Sequence, residues 1–272
     1  MLLTPVKCRP MTTYRTSLFV PHGSPMFALH PGEAGLAMAR AANRFAKPAA
    51  VVVLSPHWET AVPTVGAASR LETIHDFGGF DPRLYEITYP AAGSPEGASR
   101  VADALRNGGL PAEIDGKRGL DHGAWIPLRQ MFPLANVPVI PLSLQHAGGP
   151  AHAYEVGRAL APLLAEGFLV VGSGNITHNL RDWYVVLQAG QATPEYVHDF
   201  ANWIHDRLMQ RDVPSLLDYR RQHPFGARAH PRDEHLLPLF TAIGAAGEGA
   251  QPEAFHRGVS DGVISMDGYA FH

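Results

Sequence analysis

Histidine is the residue in this chain whose placement carries chemistry. There are 15 of them, and three follow the same local pattern: an apolar run, a turn through Gly, Pro or Ser, then an imidazole. Ser17–Val20 runs into Pro21-His22-Gly23-Ser24-Pro25, Ala49–Leu54 into Ser55-Pro56-His57-Trp58, and Phe168–Val171 into Gly172-Ser173-Gly174-Asn175-Ile176-Thr177-His178. Other loops present His75 (Ile74-His75-Asp76-Phe77), His122 (Asp121-His122-Gly123) and a final group of His230, Glu234 and His235. Neutral imidazole is the commonest biological metal ligand and suits Fe(II), Zn(II) and copper. Two histidines with a third histidine or a carboxylate leave coordination positions open, and a spare histidine beside them can donate or accept a proton near neutral pH. A lone strand-end histidine is more often a hydrogen-bonded structural residue. Three in one topological position shift that balance towards a shared site. His22 and His57 therefore read as ligands, and His178 as a site member that is either ligand or acid/base. His75 and His122 are further members. His30, His146, His152, His198, His205, His223, His256 and His272 read as surface or capping residues.

The elements that must position these side chains alternate between strand and helix. Continuous apolar runs at Ser17–Val20, Ala49–Leu54, Val137–Leu144 and Phe168–Val171 read as buried strands, with shorter ones at 61–68, 112–115 and 263–266. Helices are expected at 33–45, 95–107 (Ser94 as N-cap, Pro95 at the first position), 124–132, 152–166 (closed by Gly167), 194–210, 214–220 and 234–246. Residues 72–93 and 221–233 read as loops. The fold class that follows is α/β: a single domain with a mostly parallel central sheet and helices on both faces. Ligands in such sheets bind outside the carboxyl ends of the strands, where the three histidine turns lie if their strands are parallel neighbours.

Composition narrows the partners. A net charge of −3 without a basic stripe gives no footprint for nucleic acid or an anionic membrane. The single cysteine, Cys8, rules out an internal disulfide and a thiolate metal site, and suits a cytoplasmic location. No apolar run approaches the roughly 20 residues of a membrane span. Residues 1–15 read as a loose N-terminal tail and 16–272 as the catalytic domain. A dinucleotide fingerprint, a phosphate-binding P-loop, a Gly-x-Ser-x-Gly elbow and a His-Glu-x-x-His helix are all missing from the sequence.

Eight segments in order carry a resemblance: PHGSPM (21–26), SPHWE (55–59), TIHDFGGF (73–80), LYEITYPAAGSP (84–95), GLDHGAWIPL (119–128), PVIPLSL (138–144), GSGNITHNL (172–180) and HPRDEHLLPL (230–239). With them the chain resembles the class III extradiol ring-cleavage dioxygenases, in the DOPA-dioxygenase-like branch. The resemblance implies one divalent metal per chain, with Fe(II) required for ring cleavage and Zn(II) as a bound alternative. It implies His22, His57 and His235 as ligands, with Glu234 the competing third ligand. His178 matches the acid/base residue, which some members of the branch place on the metal, and His122 matches a residue lining the substrate and oxygen pocket. His75, Ser24, Trp58 and Asn175 are expected on the substrate side, with Phe77, Phe80 and Tyr85 as further wall residues. The implied substrates are a small aromatic diol and O2.

Two other readings use the same residues: a zinc-dependent hydrolase and a non-catalytic metal-binding relative. Which catechol is cleaved, and at which ring bond, is not encoded in these motifs. Arg83, Arg118, Arg181 and Arg228 stand as undifferentiated binders for a substrate carboxylate. A homodimer is the expected assembly only because two-fold oligomers are common.

Overall fold

A computed structural model of the chain describes residues 16–44 and 46–272. The expected N-terminal tail and Cys8 lie outside the described residues, as does Phe45, the last residue of the first expected helix. Among the described residues ten strands form: β1 (Ser17–Pro21), β2 (Ala50–Glu59), β3 (Thr64–Gly66), β4 (Glu113–Asp115), β5 (Val139–Leu144), β6 (Phe168–Gly174), β7 (Pro252–His256), β8 (Val259–Ser260), β9 (Ile264–Ser265) and β10 (Gly268–Phe271). The helices are α1 (Gly32–Ala42), α2 (Pro95–Asn107), α3 (His122–Met131), α4 (Gly149–Leu164), α5 (Leu180–Ala189), α6 (Glu195–Met209), α7 (Val213–Leu217), α8 (Tyr219–Gln222), α9 (Gly226–Ala229) and α10 (Leu237–Ala246). Among the described residues no helix is long and apolar enough to cross a membrane.

Eight strands make one sheet in the order β4-β3-β5-β2-β6-β1-β10-β7. Its centre, β5-β2-β6-β1, is wholly parallel. These are the continuous apolar runs of the sequence, and they are buried from end to end except where β2 emerges near the site. Antiparallel pairing enters at the flanks, with β10 on β1, β7 on β10, and β3 bridged to β5, while the edge strand β4 runs parallel to β3.

Helices cover both faces. On β6, a side-chain atom added at Gly172 would lie 2.1 Å from the Pro238 carbonyl of α10. The next residue, Ser173, donates its hydroxyl to the Gly123 carbonyl of α3. Successive strand residues point to opposite faces, so α10 and α3 lie on opposite sides of β6. Helix α4 packs on α10, and α1 packs on α3. The α4–α10 contact is close enough to require glycine. A Cβ at Gly157 or at Gly244 would each meet a carbonyl of the other helix at 2.1 Å.

Several boundaries differ from the expectations, for identifiable reasons. β2 does not stop at Leu54 but continues through Glu59. Leu54 pairs with Leu142 and Glu59 with Leu144, so the extra residues between them form a bulge. Bulges bend a strand and re-aim its side chains. The helix expected from Glu234 begins at Leu237, with a proline in its first turn. Glu234 and His235 therefore sit in the turn before it. The helix expected at 214–220 is divided at Asp218 into α7 and α8, and the loop expected at 221–233 contains α9. The strand expected at 263–266 belongs instead to a separate two-stranded ribbon, β8-β9, while β10 fills the place in the main sheet.

Candidate active site

The carboxyl ends of β1, β2 and β6 lie side by side because these strands are parallel neighbours in register. His22 immediately follows β1. Its Nδ1 stands 3.0 Å from the hydroxyl of Ser173, one strand over. That hydroxyl's own proton is donated to Gly123, so it accepts from His22. The proton of neutral His22 is thus placed on Nδ1, and Nε2 carries the free lone pair. His57, on the β2 bulge, brings its Nε2 to 3.4 Å from His22 Nε2. Its other nitrogen faces Asp76 Oδ2 at 3.6 Å.

His122 opens α3, a helix capped by the Asp121 carboxylate accepting from the Ala124 amide. Its amide and its Nδ1 both donate to Asp76 Oδ1, at 2.9 and 3.0 Å. His235, in the turn before α10, has Nδ1 3.0 Å from Glu234 Oε1. His178 lies face to face with it, ring centroids 3.5 Å apart and 8° from parallel. The His178 ring has no hydrogen-bond partner among the described residues.

The ring arrangement distinguishes the members of this cluster. His22–His57, His22–His235 and His57–His235 centroids are 5.2, 5.1 and 5.1 Å apart, a nearly equilateral triangle. With metal–nitrogen bonds of about 2.0–2.1 Å, imidazoles sharing one ion at octahedral to tetrahedral angles have centroids about 4.5–5.3 Å apart. Two such nitrogens at a tetrahedral angle stand about 3.3 Å apart, close to the His22–His57 contact. His122 lies 4.0 Å from His57 and 5.7 Å from His22, outside that range on both sides. Grouped by donor atoms alone, the sets within 4.8 Å are His22/His57/His122 and His178/Glu234/His235. The triangle joins the two groups, with His122 beside the His57 corner and His178 stacked on the His235 corner.

Electrostatics favour neutral rings. Burial, reinforced by the neighbouring imidazoles, holds His22 and His235 well below the usual histidine range. Burial, with His122 next, lowers His57 to about 3 against the pull of Asp76. Burial, with His57 and His122, likewise lowers His178 to about 3. Burial alone would raise the Asp76 carboxyl, but hydrogen bonds and charge from His122 outweigh it and leave Asp76 at about 2. Neutral imidazoles beside an ionised carboxylate are the state in which metal ligands are competent.

The cluster forms the floor of a cavity of about 310 Å³ walled by Ser24, Pro25, Phe77, Phe80, Leu180, Trp183, Glu234 and Ile264. A larger, mostly apolar cavity of about 540 Å³ lies among α6, α7 and α10 and holds none of these histidines.

Of the residues expected on the substrate side, Ser24 lines the cavity and the other three do not. His75 donates Nε2–H to the Ile87 carbonyl at 3.0 Å and packs among Phe77, Tyr85 and Trp125, which ties the 72–93 loop together. Trp58 lies under the Arg118 guanidinium, 5.0 Å from the ring centroid. Asn175 is fully buried and donates to the Ser265 carbonyl. Phe77 and Phe80 are wall residues as expected, and Tyr85 packs behind Phe77. His230, expected as a loop residue, is fully buried and donates to the Ile176 carbonyl at 2.8 Å. Sequence reasoning missed Asp76 and Ser173, which orient three of the rings, and Leu180, Trp183 and Ile264 in the wall. Only Asp76, an acid between a histidine and a phenylalanine in a glycine-rich loop, left any local signal.

Imidazoles converging past the carboxyl ends of a parallel α/β sheet, beneath an aromatic-walled cavity, define a metal-dependent α/β enzyme. The family described as the catalytic LigB subunit of aromatic ring-opening dioxygenase matches residues 18–271, and the chain belongs to that family. It is 38% identical over 261 residues to the 4,5-DOPA dioxygenase extradiol of Beta vulgaris, spanning 94% of this chain and 96% of that protein. The Escherichia coli K12 protein of the same name is 36% identical, with 94% of each chain covered. The crystal structure of an uncharacterised protein from Escherichia coli K12 superposes with a TM-score of 0.78 at 30% identity, covering 94% of this chain and 99% of that one. The chain is accordingly an aromatic ring-opening dioxygenase of the extradiol type.

Proposed function

We propose that the chain opens the ring of a catechol with O2, at one divalent metal held by His22, His57 and His235. The observation that carries this reading is the equal spacing of those three rings, with Nδ1 of His22 directed to Ser173, of His57 to Asp76 and of His235 to Glu234. Each outward contact leaves the opposite nitrogen for the ion, the usual way proteins orient ligating histidines. Fe(II) is the metal proposed. When bound, it supplies the redox chemistry through which O2 reacts with an aromatic diol. Zn(II) fits the same nitrogens but passes no electrons, so the hydrolase and non-catalytic readings rank below this one in a family of ring-opening dioxygenases.

The chain's own residues bind the substrate and handle protons. Phe77, Phe80, Leu180 and Trp183 take the aromatic ring and exclude water. His178 lines the cavity with its ring nitrogens unpaired among the described residues, which places it to accept a proton from a substrate hydroxyl. His122 faces the same cavity with Nε2, since its Nδ1–H is committed to Asp76. Asp76 holds that ring in place by accepting from both the amide and Nδ1 of His122. DOPA, the substrate in the relatives' names, is the first catechol to try. A reducing cytoplasm is the compartment that fits.

Oxygen uptake on a catechol panel, with Fe(II)-loaded protein beside Zn(II)-loaded protein, tests the reading. Stoichiometric uptake with a new yellow ring-opened product, in the iron sample alone, is expected. No uptake with any catechol, in protein carrying one iron per chain, would overturn it for those substrates.

A further inference from the structure

The histidine cavity does not end at its aromatic wall. A second, shallower cavity of about 200 Å³ opens beside it, and the two share His178, Leu180 and Glu234. The remaining lining of this annex is Asn179, Arg181, Pro231 and Arg232. The two cavities differ in chemistry. The first offers rings and aliphatic side chains around the imidazoles, whereas the second is lined by two arginines.

The two arginines are not equivalent. Arg232 is already paired with Glu59 and lies 3.8 Å from Glu234 Oε2. Arg181 has no ion pair and no side-chain hydrogen bond among the described residues; the carboxylate next to it in sequence, Asp182, is taken by Arg228 at 2.9 Å. The other arginines that the sequence offers as carboxylate binders are also committed. Arg83 is held by Asp81 at 2.7 Å, and Arg118 by Asp121 at 2.7 Å. Arg181 alone of the four lines a cavity joined to the histidines. The first amides of α5 do not supply the anion site themselves, because the Asn179 side chain already accepts from the amides of Arg181 and Asp182.

We propose that the annex is the subsite for an anionic substituent, a carboxylate on a short chain extending from the catechol ring, and that Arg181 is the residue that selects it. The proposal rests on the catechol reading of the histidine site. With the ring over the imidazoles and between Phe77 and Trp183, a chain passing Leu180 enters the annex that Arg181 lines. A guanidinium presents a planar fork that matches a carboxylate, which an ammonium does not.

The test compares dihydrocaffeate with its neutral methyl ester on the Fe(II)-loaded protein, by calorimetry without oxygen. The wild type is expected to bind the acid about five- to tenfold more tightly than the ester, the range between an exposed ion pair and a charge-assisted hydrogen bond. In Arg181→Gln that ratio is expected to fall towards one, and Arg181→Lys is expected to restore part of it. A wild-type ratio near one, or a ratio unchanged in Arg181→Gln, would overturn the proposal. Admitting air to the same samples then separates this inference from the one beneath it. An acid preference that depends on Arg181, without oxygen uptake, supports the annex while overturning ring cleavage of these substrates. Uptake with no acid preference does the reverse.

Discussion

Asp76 is the side chain on which most of the site's orientation converges. One carboxylate oxygen receives the His122 amide and Nδ1, and the other faces His57 Nδ1. It thereby fixes the tautomer of one proposed ligand and of one proposed proton carrier. Asp76→Asn keeps the shape but removes the charge, and can offer an N–H where two histidines need an acceptor. It is expected to lower metal affinity or kcat/KM by about 10- to 100-fold, the usual effect of removing a partner behind a ligating histidine. Metal titration alongside steady-state oxygen uptake checks this. Unchanged values for both would show that Asp76 is only a loop tether. His22, His57 and His178 were legible in the sequence because residue type and local turn both marked them, whereas a ligand role for His235 came only from the family resemblance. Their partners were not. Ser173 reaches His22 only through the β1–β6 register, and Asp76 reaches His122 only because the 72–93 loop folds over the start of α3. His75 misled for the same reason, since nothing local distinguishes a ring turned to the Ile87 carbonyl from one turned to a cavity.

Among the elements, β6 and the turn before α10 are coupled through glycine. A Cβ at Gly174 would lie 2.2 Å from the His235 carbonyl, and one at Gly172 would lie 2.1 Å from the Pro238 carbonyl. The strand that lies between His22 and His57 thus also sets the height of His235. Gly174→Ala is expected to cost about 1–3 kcal/mol, as overpacking against a fixed backbone does, and to weaken metal binding by displacing His235. Thermal unfolding of the metal-free protein gives the first effect and metal titration gives the second. Wild-type values in both would mean that the turn yields freely. The central strands were legible because a sheet covered on both faces needs continuous apolar runs. The bulge in β2 was not, because Ser55-Pro56 reads as a turn and only pairing with β5 keeps the segment in the sheet. α5 escaped because its exposed Leu180, Tyr184, Val185 and Leu187 blur the apolar stripe that would mark an amphipathic helix.

The whole molecule buries several imidazoles in neutral form, and this gives its stability a defined pH dependence. His57, His178 and His230 are lowered to about 3 from 6.5, and His22 and His235 lie well below 6.5. Between about 3 and 6.5 the unfolded chain binds more protons at these positions than the folded one, so stability rises with pH across that window. The contribution is complete above pH 6.5 and is lost progressively as the pH falls towards 3. Metal-free protein is therefore expected to show a falling Tm as pH drops below 6.5, with net proton uptake on unfolding. A Tm independent of pH between 4 and 7 would contradict the neutral burial of the cluster. Bound metal adds about 2.7 kcal/mol when its free concentration is a hundredfold above Kd, so a chelator is expected to lower Tm most near neutral pH.

The division of labour among the histidines is tested most directly by measuring bound iron and oxygen uptake together in His235→Ala and His178→Ala. The ring geometry predicts that His235→Ala loses the metal, and activity with it, whereas His178→Ala keeps one iron per chain and loses turnover by a factor of about 100 or more. Retention of iron in His235→Ala with its loss in His178→Ala would contradict the assignment and place His178 on the metal.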